Sequence, residues 1–394
     1  MTTPHINHGS RKRTEAVYIH IPFCTNKCFY CDFNSYVLKG QPVMDYLQAL
    51  EREMEMTVKA SPPGVIKSIF VGGGTPTVLK PKEMEYFLKT VRTHFPEWDH
   101  DIEFSMEANP GTTDLDKLTV MREGGVNRVS FGVQAFQNEL LTDIGRIHDT
   151  DDVYQSLENA RKAGFDNMSI DLMFGLPNQT VDMLSESVTK ALELALPHYS
   201  IYSLKVEENT LFHTLYQKNQ LPLPDEEDEL NMYLLLMNRM KEAGYKQYEI
   251  SNFAKPGFES KHNMTYWLNE DYYGLGAGAH GYVGRKRHMN IKGVNPYINA
   301  VKNGLPRLDT YDISKEEAME DFLMVGLRVL DGISRSRFEH QFNTSLDVVF
   351  ARPLQKMVHA GLLEVTDDGY RLSEKGILFG NEVFAEFIGS LSGE

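Results

Sequence analysis

Cys24, Cys28 and Cys31 are the only cysteines in the chain, and they fall in one CxxxCxxC loop within the stretch Val17 to Asn34. Their spacing lets one short loop place three thiolates around a single soft inorganic centre. An odd number of thiols cannot all pair internally, and clustered thiols point to a reducing compartment, where they are metal ligands or catalytic groups. Three thiolates without a fourth leave one coordination position free, as expected of a reactive metal site. A structural zinc site completed by His20 is the alternative from the cysteines alone. A second constellation follows at Gly72-Gly73-Gly74-Thr75-Pro76, a glycine loop that lets backbone approach a ligand closely. It lacks the Lys-Ser/Thr pair of a nucleotide P-loop, which argues against triphosphate binding.

Both loops follow predicted strands. Short β-rich runs alternate with amphipathic ones from residue 17, the signature of βα units feeding a parallel sheet. Strands are expected near Val17–Ile21, Ser68–Val71, Asp101–Glu107, Arg128–Val133, Met168–Leu172 and Tyr199–Leu204. Helices are expected near Met44–Lys59, Lys82–Phe95, Thr113–Glu123, Asp151–Ala163 and Val181–Leu196, with Gly124 and Gly164 as C-caps. The fold class is therefore α/β, a partial barrel of six strands. Polar or glycine-rich sequence sits at the carboxyl end of almost every strand, the rim where parallel α/β folds bind ligands. LPLPDEEDE starts a helix running to about Gly244, and a strand-like run, Tyr245 to Ile250, follows it. The expected organisation is a flexible lead-in over 1–16, a core over 17–250, a connecting region over 251–314 and a smaller, mainly helical, winged-helix-like domain over 315–394.

The chain has 394 residues, 41% hydrophobic, with a formal net charge of -15. That size suggests a large domain plus a smaller one. The charge argues against nucleic acid as a partner, and residues 315–394 add 8 Lys and Arg against 14 Asp and Glu. No secretory signal and no transmembrane run is visible, so a cytoplasmic protein is expected, with peripheral membrane association left open.

CxxxCxxC after the first strand, GGGTP after the second, and YIHIPFC together resemble the radical S-adenosylmethionine (SAM) superfamily. The resemblance is to the branch holding oxygen-independent coproporphyrinogen III dehydrogenase and the HemW heme chaperones, and it covers about residues 17–380. It implies a partial (β/α)6 barrel in which the three cysteines hold a [4Fe-4S] cluster whose fourth iron is chelated by SAM. Residue by residue it implies SAM contacts for Tyr18, Tyr30, Gly73, Gly74, Thr75, Glu107, Gln134, Arg146 and Asp171. The dehydrogenase carries a further cysteine two residues after the third, where this chain has Phe33, and a longer N-terminal extension; both departures weaken a decarboxylase reading. His262-Asn263-Met264-Thr265-Tyr266-Trp267 matches the HNxxYW signature of the HemW type, which implies heme contacts for His262, Tyr266 and Trp267. An imidazole can ligate heme iron, and aromatics can pack on the macrocycle. His280 and His288 are less favoured ligands, and Arg285, Lys286 and Arg287 could meet heme propionates. The resemblance further implies an apo-hemoprotein acceptor and a low-potential electron donor such as a flavodoxin. The expected function is heme binding and transfer; radical oxidative decarboxylation of coproporphyrinogen III is the alternative, and a zinc-structured regulator a third.

Overall fold

Runs of β-branched and aromatic residues that are apolar on both faces must be covered on both faces, and here they build one largely parallel sheet flanked by helices. The computed structural model describes residues 13–391, so residues 1–12 of the expected lead-in lie outside the described residues. Six strands and five helices alternate: β1 Ala16–Ile21, α1 Val43–Ala60, β2 Ile66–Gly73, α2 Pro81–His94, β3 Trp98–Ala108, α3 Leu115–Glu123, β4 Arg128–Gln134, α4 Thr150–Lys162, β5 Asn167–Phe174, α5 Val181–Glu193 and β6 His198–Ser203. Each lies where the periodicity places it, with ends shifted by a few residues. The helix α6, Glu226–Glu242, starts on an Asp225 cap with four acidic residues in its first turn, which complement the helix dipole.

The sheet is wider than six strands. β7 (Lys246–Glu249) and β8 (Asn252–Ala254) extend one edge antiparallel, while β9 (Tyr273–Leu275) joins the other edge parallel to β1, with Val17 opposite Tyr273. The order is β9-β1-β2-β3-β4-β5-β6-β8-β7, an open sheet whose edge strands do not meet. At three residues with a central glycine, β9 carries no periodicity from which a strand can be predicted. One cap also differs from expectation. Gly125 takes the left-handed conformation that ends α3 (φ 100°), whereas Gly124 is helical and is glycine because an added Cβ would lie 2.4 Å from Leu88.

A second buried cluster gathers Tyr282 with residues from Ile313 to Phe387, including Phe322, Phe338, Phe342 and Phe350 in edge-on or tilted ring contacts. Its helices surround a three-stranded sheet containing the hairpin Leu363–Thr366 and Gly369–Leu372, the small wing expected from sequence. Among the described residues no helix is long and apolar enough to cross a membrane.

Between the main sheet and the segment after β9 lies a carboxylate with no access to solvent. Glu53, on α1, accepts hydrogen bonds from the Gly276 amide (2.7 Å), Asn290 (2.7 Å) and Tyr297 (2.5 Å), and pairs with Arg307 at 3.4 Å. Burial pushes its pKa up, and the Arg307 charge and these donors oppose that shift. Nearby, Tyr46 donates to the His20 carbonyl (2.7 Å) and accepts from the Ala277 amide (3.0 Å). The loop Gly276 to His280 is thereby fixed against β1. Glu53→Ala leaves several buried donors and a guanidinium unpartnered, so equilibrium urea unfolding should show a loss of about 3–5 kcal/mol. A surface control, Glu158→Ala, should leave the unfolding midpoint close to that of the wild type.

Candidate functional site

Because β1 to β6 run parallel, their carboxyl ends share one rim, and the candidate residues converge there. The three thiols are half-buried and unpaired by disulfide. Their loop is clamped to the turn after β4. The Phe29 amide donates to the Ile144 carbonyl (3.1 Å), Asn26 donates to the Gly145 carbonyl (2.9 Å), and Gly145 turns with φ 75° where a Cβ would strike the Phe29 ring. Two donors reach the sulfurs: the Thr75 hydroxyl to Cys24 and the Arg146 guanidinium to Cys28, each at 3.5 Å. Asn109 joins these donors, giving a hydrogen bond to Thr75 Oγ1 (2.8 Å) and accepting one from Arg146 (2.7 Å). Sequence reading passed over Asn109, although it lies within the EANP segment; its place between two donors exists only in three dimensions. Burial raises the pKa of Cys24, and that of Cys31 to about 11, so both are thiols in the metal-free protein.

The glycines of GGGTP are explained by close approach. A Cβ on Gly72 would meet the Glu107 carboxylate at 2.7 Å, one on Gly73 the His20 ring at 2.3 Å, and one on Gly74 the Phe23 carbonyl at 2.6 Å. The Gly73 amide donates to Glu107 (3.2 Å), and the Ser130 hydroxyl donates to Asp171 (3.0 Å). Burial, with the Asp171 charge adding to it, lifts the Glu107 pKa to about 8; burial also lifts Asp171 to about 6. Gln134, in the left-handed region at φ 70°, reaches the space beside Gly132 together with Asn109 and Arg146. Tyr30 packs near Phe212, and burial raises its phenol pKa. His20 is committed elsewhere than to a metal: its Nε2 donates to the Asn34 carbonyl and its Nδ1 accepts from Tyr18, both at 2.9 Å. Among the described residues no three His, Cys, Asp or Glu side chains converge as a single-ion site requires.

HNMTYW forms a short helix, α7, over Lys261–Trp267. Its first amides are received by the buried Glu103 on β3, from Lys261 at 3.0 Å and His262 at 3.1 Å, and Ser260 caps it. The His262 ring is fully buried, hydrogen-bonded to Ser68 (3.0 Å) through Nδ1 and to the Tyr266 hydroxyl (2.8 Å) through Nε2, and stacked on Phe70. Desolvation lowers its pKa to about 3, so it is neutral. Both ring nitrogens are thus engaged inside the protein. Tyr266 faces an open cavity of about 350 Å3, with Tyr18, Gly73 and Glu107 from the strand ends and Phe33, Tyr272 and His280 around them. Trp267 lies instead against Arg328, at 4.5 Å, outside that lining. Lys286 and Arg287, which could have met heme propionates, pair with Asp312 (3.0 Å) and Asp321 (2.8 Å), and His288 is buried against the Gly274 carbonyl at 3.2 Å.

Residues 18–191 match the radical SAM superfamily model and residues 313–379 that of the HemN C-terminal domain. The chain is 46% identical over 378 residues to a heme chaperone HemW from Bacillus subtilis, covering 96% of this chain and all of that protein. The chain belongs to the HemW family. A second HemW, from Escherichia coli, is 36% identical across 95% of this chain and 98% of its own. The fold also matches the E. coli coproporphyrinogen III oxidase HemN, a radical SAM enzyme, with TM-score 0.84 at 24% identity, covering 95% of this chain and 90% of that one. The superfamily implies a [4Fe-4S] cluster and SAM. The donor set fits: three thiols on one clamped loop, with a hydroxyl and a guanidinium directed at two of the sulfurs, suit a soft iron–sulfur centre. The HNMTYW helix braces the cavity wall through Tyr266.

The raised thiol pKa values give a direct check on metal-free protein. Alkylation by iodoacetamide, mapped by mass spectrometry against pH, should be slower than for free cysteine at pH 8. The rate at Cys31 should reach half its maximum near pH 11, and a midpoint below pH 9 would contradict the burial argument.

Proposed function

We propose that this protein binds heme and passes it to an acceptor apo-hemoprotein, on a radical SAM core over 17–250 joined through 251–314 to the C-terminal module over 315–394. In this reading Cys24, Cys28 and Cys31 hold a [4Fe-4S] cluster, and Tyr18, Tyr30, Gly73, Gly74, Thr75, Glu107, Gln134, Arg146 and Asp171 surround SAM. The full-length relationship to heme chaperones carries the proposal. The aromatic cavity supports it: Tyr18, Phe33, Tyr266 and Tyr272 supply ring surface beside the strand-end residues. Phe33 is 62% exposed, an apolar side chain left uncovered at the cavity and suited to a flat apolar ligand. His262 and Tyr266 act as one unit, since the buried imidazole holds the phenol that faces the ligand.

Bound together, the cluster and SAM supply a reductively cleavable sulfonium. The chain's own residues position them and set local charge. Arg146 and Thr75 donate to sulfur, which stabilises thiolate over thiol. Glu107 is protonated at neutral pH, with its pKa near 8, and it ionises when a cationic group is brought against it. Because the ligand favours the ionised form, binding releases a proton. SAM affinity measured by calorimetry on cluster-loaded protein should therefore rise from pH 6 towards 8 and level off above it, and Glu107→Gln should flatten the profile.

Titration with heme should give a saturable Soret change, reduced in His262→Ala through the freed Tyr266. Absence of saturable binding would end this reading. Anaerobic incubation with coproporphyrinogen III, reductant and SAM should leave the substrate intact; protoporphyrinogen accumulating over many turnovers would favour the decarboxylase.

A further inference from the structure

Resting on the heme-carrying reading, we propose that His280 is the imidazole that ligates the heme iron and that Lys292 receives a propionate, on the open side of the cavity. Among the imidazoles around this cavity, His20 is bonded through both nitrogens to Tyr18 and Asn34, and His262 through both to Ser68 and Tyr266. His288 is buried, bonded to the Gly274 carbonyl. His280 differs from all three. Its side chain lines the cavity, is exposed, and takes part in no hydrogen bond among the described residues.

Its backbone is nonetheless rigid. His280 opens the strand His280–Val283 and pairs with Met289, and a Cβ on Gly274 of β9 would fall 1.8 Å from its carbonyl oxygen. The preceding loop is held at three points. Gly276 is bonded to Glu53, Ala277 to Tyr46 and Asn34, and Gly278 turns at φ 75° against Asn34, where no side chain fits. An accessible imidazole on a fixed backbone is what a ligand to an incoming metal needs: little conformational entropy is lost when the bond forms.

The surroundings suit the rest of the ligand. Tyr266 and Tyr272 meet edge-on at 4.7 Å, presenting a ring wall, and Phe33 is exposed beside them. Lys292, also on the cavity, is exposed and has no carboxylate partner among the described residues, unlike Lys286 and Arg287. In a chain of net charge -15, an unpaired cation on a cavity wall selects for a ligand carrying negative charge at its edge. Glu107 lines the same cavity but is protonated at pH 7 before SAM binds, so in the SAM-free protein it does not repel a carboxylate there. An iron porphyrin with peripheral carboxylates meets all three requirements: imidazole for iron, rings for the macrocycle, ammonium for a propionate.

The test is heme titration of full-length, cluster-reconstituted protein, read by Soret position and affinity. His280→Gly should shift the Soret band and weaken binding by about tenfold or more. Free imidazole, added at millimolar concentration, should restore the wild-type spectrum. Lys292→Ala should weaken binding by a few-fold at low salt, a difference that shrinks at high salt. His262→Gln should weaken binding without changing the spectrum of the complex that forms, because its effect passes through Tyr266. If His280→Gly binds with wild-type Soret position and affinity, or if its altered spectrum ignores imidazole, the assignment is overturned while heme carriage stands. If the wild-type protein shows no saturable binding, heme carriage fails and the assignment with it.

Discussion

The geometry of the cavity depends on the buried Glu53 carboxylate. A charge-bearing group in a low-dielectric interior is tolerated only when its lone pairs are met, and here they are met by groups from four separate parts of the chain after β9. That requirement fixes the loop from Gly276 to His280 beside β1. β9 enters the sheet beside β1 because the loop following it is held there, and the cavity gains its second wall from the same arrangement.

The other wall comes from the convergence of strand ends. A parallel sheet places every βα loop on one rim, and close backbone approach at Gly72, Gly73 and Gly74 lets Glu107, His20 and the Phe23 backbone occupy space that side chains would otherwise fill. Hydrogen bonds run from Cys24 through Thr75, Asn109 and Arg146 to Cys28. The cysteine loop and the β2, β3 and β4 loops therefore hold one another in register, and a disturbance at Asn109 would reach both sulfur donors.

Desolvation dominates the titration behaviour of the site. It keeps Cys24 and Cys31 as thiols, Glu107 neutral and His262 uncharged, so the ligand-free rim carries little net charge despite its many ionisable groups. Binding of a metal cluster or a cation then carries its own ionisation with it, which couples occupancy to pH. The chain as a whole, by contrast, is strongly acidic in composition. An unpaired lysine facing the cavity stands out against that background.

Local pattern determined much of this molecule. Six strands and five helices were legible because apolar residues recur with the periods that bury a strand or one helix face, and the cysteine and glycine loops were legible because their chemistry is concentrated in a few adjacent positions. What no local pattern carries is partnership across long separations. The tripeptide β9 is a strand only because β1 lies beside it, and Asn109 acquires a role only between Thr75 and Arg146. The HNMTYW segment reads as a ligand-bearing motif, yet folding buries His262 behind Tyr266 and turns Trp267 towards Arg328. His280 reads as a less favoured ligand than His262, yet tertiary packing leaves it facing the cavity. The sequence by itself determined which chemistry was available and on which strand ends it would sit. The tertiary structure alone decided which imidazole is left open to the cavity, because burial depends on what the rest of the chain brings to cover each one.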